Sequence, residues 1–218
     1  MNAAYNLEPW RFNGASFVDP EKMNVLVLGD SFARDFINAG LENGYFAQSE
    51  LSYYGSQPFC LAGAEDLEDG LRERIKQADY VVIGLKEFIG SCWKTDFAIF
   101  QQLGAKNFIV LGPKNFGWNM NAMMRLPVEG RPSYRVSVLK DVLDRDAELK
   151  EMIPASMYVS ILEMISDAPG QVPVFTEDGK VISQDRIHLT KAGARFVGKK
   201  IFEHPLLAPL RQSRSMGV

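Results

Sequence analysis

Histidine and cysteine are both nearly missing: the chain of 218 residues carries two of each. Cys60 and Cys92 show neither the close pairing of zinc ligands nor a CxxC arrangement, which argues against a zinc site and against a disulfide framework. Buried free thiols are the expectation, with one disulfide left open for an oxidising compartment. An excess of one charge sign is missing too. The 24 Lys plus Arg against 27 Asp plus Glu leave a net charge of -3, so no general attraction to nucleic acid is expected. Lys199 and Lys200 read as a solvated helix face. No stretch approaches the roughly 18 apolar residues of a membrane span. The opening residues, MNAAYNLEPWRF, lack the charged and apolar regions of a signal peptide. As written, the chain is expected to be soluble and unsecreted. It holds no internal repeat and no low-complexity tract.

What is present is an ordinary globular composition, 46% hydrophobic and 23% charged, which supports one large domain. Residues 1–22 have no sustained period and contain Pro9, Gly14 and Pro20, the pattern of an arm anchored by Trp10 and Phe17. MNVLVL (23–28) is a short run of the kind buried on both faces of a sheet. A helix is expected from Ala33 to about Asn43, with Gly44 as its stop. ELSYYG follows as a second strand ending at Gly55. Acidic residues from Glu65 to Asp69 open a helix through LRERIKQA. DYVVIG (79–84) reads as a third strand, FAIFQQL as a helix stopping at Gly104, and NFIVLG (107–112) as a fourth strand. Strands alternating with helices imply crossover connections, hence an α/β sandwich with a mainly parallel sheet and helices on both faces.

The stretch PKNFGWNMNAMMRLPVEGRPSY (113–134) breaks that rhythm, being longer than most loops and too apolar for disorder. A helix from about Val136 to Ile153 is expected next, then MYVSI as a fifth strand. VPVFTEDGKVIS suggests a hairpin turning at Asp178 and Gly179. A last helix starts near Thr190 and ends before Pro205. The domain therefore spans 23–205, with residues 206–218 as a tail.

Gly29, Asp30 and Ser31 fall at the carboxyl end of the first strand, where open parallel sheets bind ligands. Asp and Ser are also favoured helix caps, so this triplet alone is no evidence of chemistry. A serine hydroxyl becomes a nucleophile when a base takes its proton, commonly a histidine oriented by a carboxylate. Only two histidines can serve. His204, before Pro205, reads as a surface residue; His188 lies in QDRIHLTKAG, three residues after Asp185 and just before a helix. On a loop, that spacing lets the carboxylate reach one imidazole nitrogen while the other faces the serine.

GDSFARDF near the amino terminus together with DRIHLTKAGA near the carboxyl terminus resembles the SGNH hydrolases, also called GDSL esterases and acyltransferases. The resemblance spans roughly Met23 to Phe202 and implies a flavodoxin-like three-layer α/β/α fold. It also implies Ser31 as nucleophile, His188 as general base and acid, and Asp185 as orienting carboxylate. NVLVLGDSFARDF, ADYVVIGLKEF and VLGPKNFG are similar, more narrowly, to SGNH domains attached to membrane-bound sugar acyltransferases that modify bacterial surface polysaccharides. That likeness implies association with, or fusion to, such a membrane acyltransferase. The chain is then expected in the periplasm if excised from one, and in the cytoplasm if it is complete.

In this family the oxyanion is met by the serine N–H, a glycine after the second strand and an asparagine after the third. Here these positions fall to Ser31, to Gly55 with Gly63 as rival, and to Lys86, which stands where asparagine is expected in Gly84-Leu85-Lys86-Glu87. Asn115, Asn119 and Asn121 are alternative donors. In the long loop, Trp118 and Phe116 are candidates to stack on sugar rings, Arg125 or Arg131 to bind a carboxylate, and Asn115 to contact substrate. The bland alternative packs Met123, Met124 and Leu126 beneath the loop with its polar residues solvated. Phe32, Ala33 and Phe36 are expected to be helix packing and Asp35 a surface residue. The reading is a serine-dependent esterase or acyltransferase acting on O-acyl groups, foremost acetyl, of a carbohydrate or surface polysaccharide. No metal or organic cofactor is implied. An inactive carbohydrate-binding module of the same fold is the alternative, and a lipase or thioesterase a weaker one, since no apolar lid precedes the site.

Overall fold

The structure is a computed structural model describing residues 7–56, 58–87, 90–118, 123–183 and 185–211. Its centre is a five-stranded sheet: β1 (Met23–Gly29), β2 (Ser49–Tyr54), β3 (Tyr80–Gly84), β4 (Asn107–Leu111) and β6 (Tyr158–Val159). The order is β2-β1-β3-β4-β6, and every pair is parallel. Val25 to Leu28 of β1 are fully buried and alternate between two cores. Val25 and Val27 pack on one face with Phe36 and Ile37 of α1 (Ser31–Leu41) and Val197 and Ile201 of α6 (Lys191–Ile201). Leu26 and Leu28 pack on the other, with Leu71 and Ile75 of α2 (Asp69–Gln77) and Phe97 and Phe100 of α3 (Trp93–Gln102). Leu149 of α4 (Lys140–Met152) completes that second layer. A run apolar at every position is what a strand covered on both faces requires, and the result is a three-layer α/β/α sandwich.

The expected helix from Val136 begins only at Lys140. Val136 and Val172 pair instead within an antiparallel ribbon of β5 (Arg135–Ser137) and β7 (Gln171–Pro173). The fifth strand is shorter than MYVSI, because Ser160 caps the next helix, α5 (Ile161–Ile165), accepting from Glu163 N–H at 3.2 Å. The hairpin at Asp178-Gly179 reduces to one antiparallel bridge, Phe175 to Val181, around a left-handed Gly179 with φ +73°.

Both ends of the described chain join the fold. In the arm, Asn13 bridges to Tyr53, and Gly14 N–H donates to the Tyr53 carbonyl at 2.9 Å. The expected tail is corrected in part: Leu207 and Leu210 are buried in the core, and Phe46 N–H donates to the Leu210 carbonyl at 3.2 Å.

Candidate active site

Two glycines bring the first and third strands close at their carboxyl ends. Gly29 has φ +132°, and a Cβ there would stand 2.0 Å from the Gly84 carbonyl oxygen; a Cβ on Gly84 would meet Ala33 N at 2.8 Å. The helix start is therefore pressed against the strand ends. Asp30 is the N-cap of α1, one carboxylate oxygen accepting from Phe32 N–H at 2.8 Å and the other from Lys86 N–H at 3.0 Å. That leaves the Ser31 hydroxyl out of the capping role.

Ser31 Oγ lies 3.0 Å from His188 Nε2, and His188 Nδ1 lies 2.6 Å from Asp185 Oδ2. The three residues predicted from opposite ends of the chain thus meet in one line of contacts. The other Asp185 oxygen accepts the backbone N–H groups of Arg186, of Ile187 at 2.7 Å and of His188 at 3.0 Å. Burial alone raises the Asp185 pKa. Donation from the His188 and Ile187 backbones, the His188 ring and the Arg186 backbone outweighs it and holds the carboxyl well below the usual range. The His188 carbonyl accepts from the buried Ser183 hydroxyl at 2.8 Å, fixing the loop from beneath. Thr190 caps α6, accepting from Gly193 N–H at 2.9 Å.

Asp35, expected on the surface, is buried instead. Its carboxylate meets the equally buried Lys114 Nζ at 3.1 Å and accepts Leu189 N–H at 3.2 Å. The ammonium also sits 3.2 Å from the Phe32 ring centroid. Burial raises the Asp35 pKa and lowers that of Lys114, and each charge partly offsets the other's desolvation. The sequence carried a signal: Asp35 falls within the apolar stripe Phe32, Phe36 and Ala39 of α1, where a carboxylate needs a buried partner.

The other expected site residues divide. Gly55 N–H is donated to Asn13 Oδ1 at 3.2 Å, so this oxyanion position is occupied by the arm. Lys86 gives its N–H to Asp30, and its ammonium is exposed, 3.8 Å from Glu87. Ser31 N–H, at the first helical position, has no intrahelical acceptor. Asn115 is a buried staple rather than a substrate contact: its Oδ1 accepts from Gly117 N–H at 2.9 Å and Leu139 N–H at 3.3 Å. Phe116 is wholly buried, which removes it as a sugar platform, whereas Trp118 is exposed beside Arg186. Arg131 is spent on the loop, donating to the Leu126 and Met124 carbonyls at 3.1 Å each. Arg125 is exposed. Met123 is core, Leu126 packs against it and Met124 is exposed. Asn119 and Asn121 lie outside the described residues. His204 is half-buried, its Nδ1 accepting from Leu206 N–H at 3.3 Å, and takes no part in the site.

The thiol expectation is also corrected. Cys60 and Cys92 form a disulfide with Cα atoms 4.9 Å apart, tying the loop after β2 to the segment that enters α3. Asp96, buried in that helix, accepts from Cys60 N–H at 3.0 Å and Leu61 N–H at 2.9 Å. Among the described residues no group of His, Cys, Asp and Glu suits a metal ion, and no helix is long and apolar enough to cross a membrane.

A serine, histidine and carboxylate in hydrogen-bond sequence at the carboxyl edge of a parallel α/β sheet can support nucleophilic chemistry. Among solved structures, the fold is similar to the periplasmic domain of a lipopolysaccharide acetyltransferase from Salmonella ser. Paratyphi A. The TM-score is 0.66 at 16% identity, over 93% of this chain and 97% of that one. No protein-family model matches the chain, and no curated protein does.

Proposed function

We propose that this protein is a serine-dependent ester-transfer enzyme of the SGNH type, acting on O-acyl groups, foremost acetyl, of a carbohydrate. One observation carries the reading: the contacts from Ser31 Oγ to His188 Nε2 at 3.0 Å and from His188 Nδ1 to Asp185 at 2.6 Å. The likeness of fold to a lipopolysaccharide acetyltransferase domain supports polysaccharide acyl transfer at a coarse level.

In this reading Ser31 Oγ attacks the acyl carbonyl carbon while His188 Nε2 takes the hydroxyl proton. The C–O bond to the leaving alcohol then breaks as His188 returns that proton to it, leaving an acyl-serine. Water or a sugar hydroxyl, deprotonated by His188, attacks the acyl carbon; the C–Oγ bond breaks and His188 returns the proton to Ser31 Oγ. Asp185 holds the ring in the tautomer whose Nε2 faces the serine. Water as acceptor gives hydrolysis and a sugar hydroxyl gives transfer, with the same residues.

Phenyl acetate hydrolysis and fluorophosphonate labelling test this. Both are expected in the parent protein and both are lost in Ser31→Ala. Acetylated polymer formed from an acetyl donor and bare polysaccharide would mark a transferase. A second reading, an inactive carbohydrate-binding module, is favoured by the Gly55 and Lys86 N–H groups both being already donated, to Asn13 and Asp30. No turnover and no labelling in the parent would establish it over the first.

A further inference from the structure

Two exposed tryptophans each lie beneath an arginine guanidinium, one arginine three residues from Ser31 and the other two residues from His188. Trp118, 73% exposed, has Arg186 at 5.6 Å from a ring centroid. It stands on the histidine side, where Phe116 N–H donates to the Arg186 carbonyl at 2.8 Å. The second pair comes from the arm: Trp10, 42% exposed, has Arg34 at 5.5 Å.

This second pair stands on the serine side. Arg34 is three residues beyond Ser31 on α1, so the two side chains leave the same helix face. Of helix residues 31–40, only Ser31 and Arg34 are not buried. Trp10 is fixed against the strand end that delivers Ser31. Its ring packs edge-on to Tyr53 at 5.6 Å, and the Tyr53 hydroxyl donates to the Gly29 carbonyl at 3.0 Å. Gly55 keeps its space open, since a Cβ there would lie 3.1 Å from the Trp10 ring. Among the described residues, no carboxylate is in ion-pair contact with Arg34.

An indole face offers a rigid apolar surface to the C–H face of a sugar ring, and a guanidinium binds carboxylate or phosphate through paired N–H donors. We propose that Trp10 and Arg34 form a subsite beside Ser31 for an anionic saccharide, the ring on Trp10 and its carboxylate or phosphate on Arg34. Its role, selecting which polymer presents an ester or hydroxyl to Ser31, rests on the ester-transfer reading. Its binding does not.

Calorimetric titration of the full chain carrying Ser31→Ala separates the two. The probes are galactotriose, trigalacturonate and a phosphorylated galactotriose, the last two telling carboxylate from phosphate. At least one anionic trisaccharide is expected to bind about tenfold or more tighter than galactotriose, the scale of one charge-assisted contact. Arg34→Met in the same background removes that preference. Trp10→Ala weakens all three ligands by about tenfold, and Arg34→Met carries the test should that variant unsettle the arm. Equal affinity for all probes, no binding of any, or a preference that survives Arg34→Met overturns the subsite. A parent protein that does not hydrolyse acetyl esters, while its Ser31→Ala form keeps the Arg34-dependent preference, refutes the reaction and retains the subsite.

Discussion

Asp30 and Ser31 are both residue types that cap helices, and the structure gives that task to Asp30 alone. The serine is thereby free to face His188. Asp185 holds the same histidine from its other side, so Asp185→Asn puts an amide N–H against Nδ1 and turns the ring to the tautomer with a proton on Nε2. Phenyl acetate kcat is expected to fall roughly 10⁴-fold, the loss known for this change in a serine triad, with the far-ultraviolet spectrum unchanged. Lys114 gives a test of a different kind. Lys114→Met leaves the Asp35 carboxyl buried without its cation, a change costing about 3–5 kcal/mol where a buried pair is broken. The variant's carboxyl then has a folded pKa raised further above the unfolded value near ~3.9. Between those two values the folded state keeps a proton that the unfolded state has lost. The penalty is absent below the unfolded pKa and grows as pH rises toward the folded one. The melting deficit of Lys114→Met against the parent should therefore be smaller at pH 5 than at pH 8, and Asp35→Asn added to it should flatten that difference.

At the scale of elements, the carboxyl ends of β1 and β3 are set by glycine. Gly29→Ala places a Cβ against the Gly84 carbonyl in a backbone conformation that L residues avoid. About 2–4 kcal/mol of stability should be lost in urea unfolding, and ester hydrolysis should fall with it, because the displaced strand end carries Ser31. The four long strands and the helices between them were legible in the sequence because burial on both faces leaves uninterrupted apolar runs, as in MNVLVL and DYVVIG. The meeting of Ser31, Asp185 and His188 was legible through their motifs. The β5–β7 ribbon was not, since three residues carry too little period to stand apart from the helix that follows. Nor were the partners of Asp35 and Asn115, Lys114 and Leu139, which come from segments that only the folded topology brings near.

At the scale of the whole molecule, the disulfide does what no single layer of the sandwich does, linking the loop beyond β2 to the helix that precedes β4. Cys60 and Cys92 are separated by 32 residues, and closing a loop of that size restricts the unfolded chain by about 3–4 kcal/mol in the chain-entropy account. For a chain of this length, that corresponds to roughly 10 °C in melting temperature. The bridge is far from Ser31 in sequence, yet Asp96 holds the Cys60 and Leu61 N–H groups in the loop that continues from Gly55, beside Trp10. Reduction should therefore loosen one wall of the site before it unfolds the sheet. The protein purified without reductant is expected to show no titratable thiol until denatured and reduced. Added reductant should lower its melting temperature by about that amount, and Cys60→Ser with Cys92→Ser should melt at the reduced value and ignore reductant. A reduced protein that melts with the oxidised one would mean that the contacts of Asp96 alone hold this loop in place.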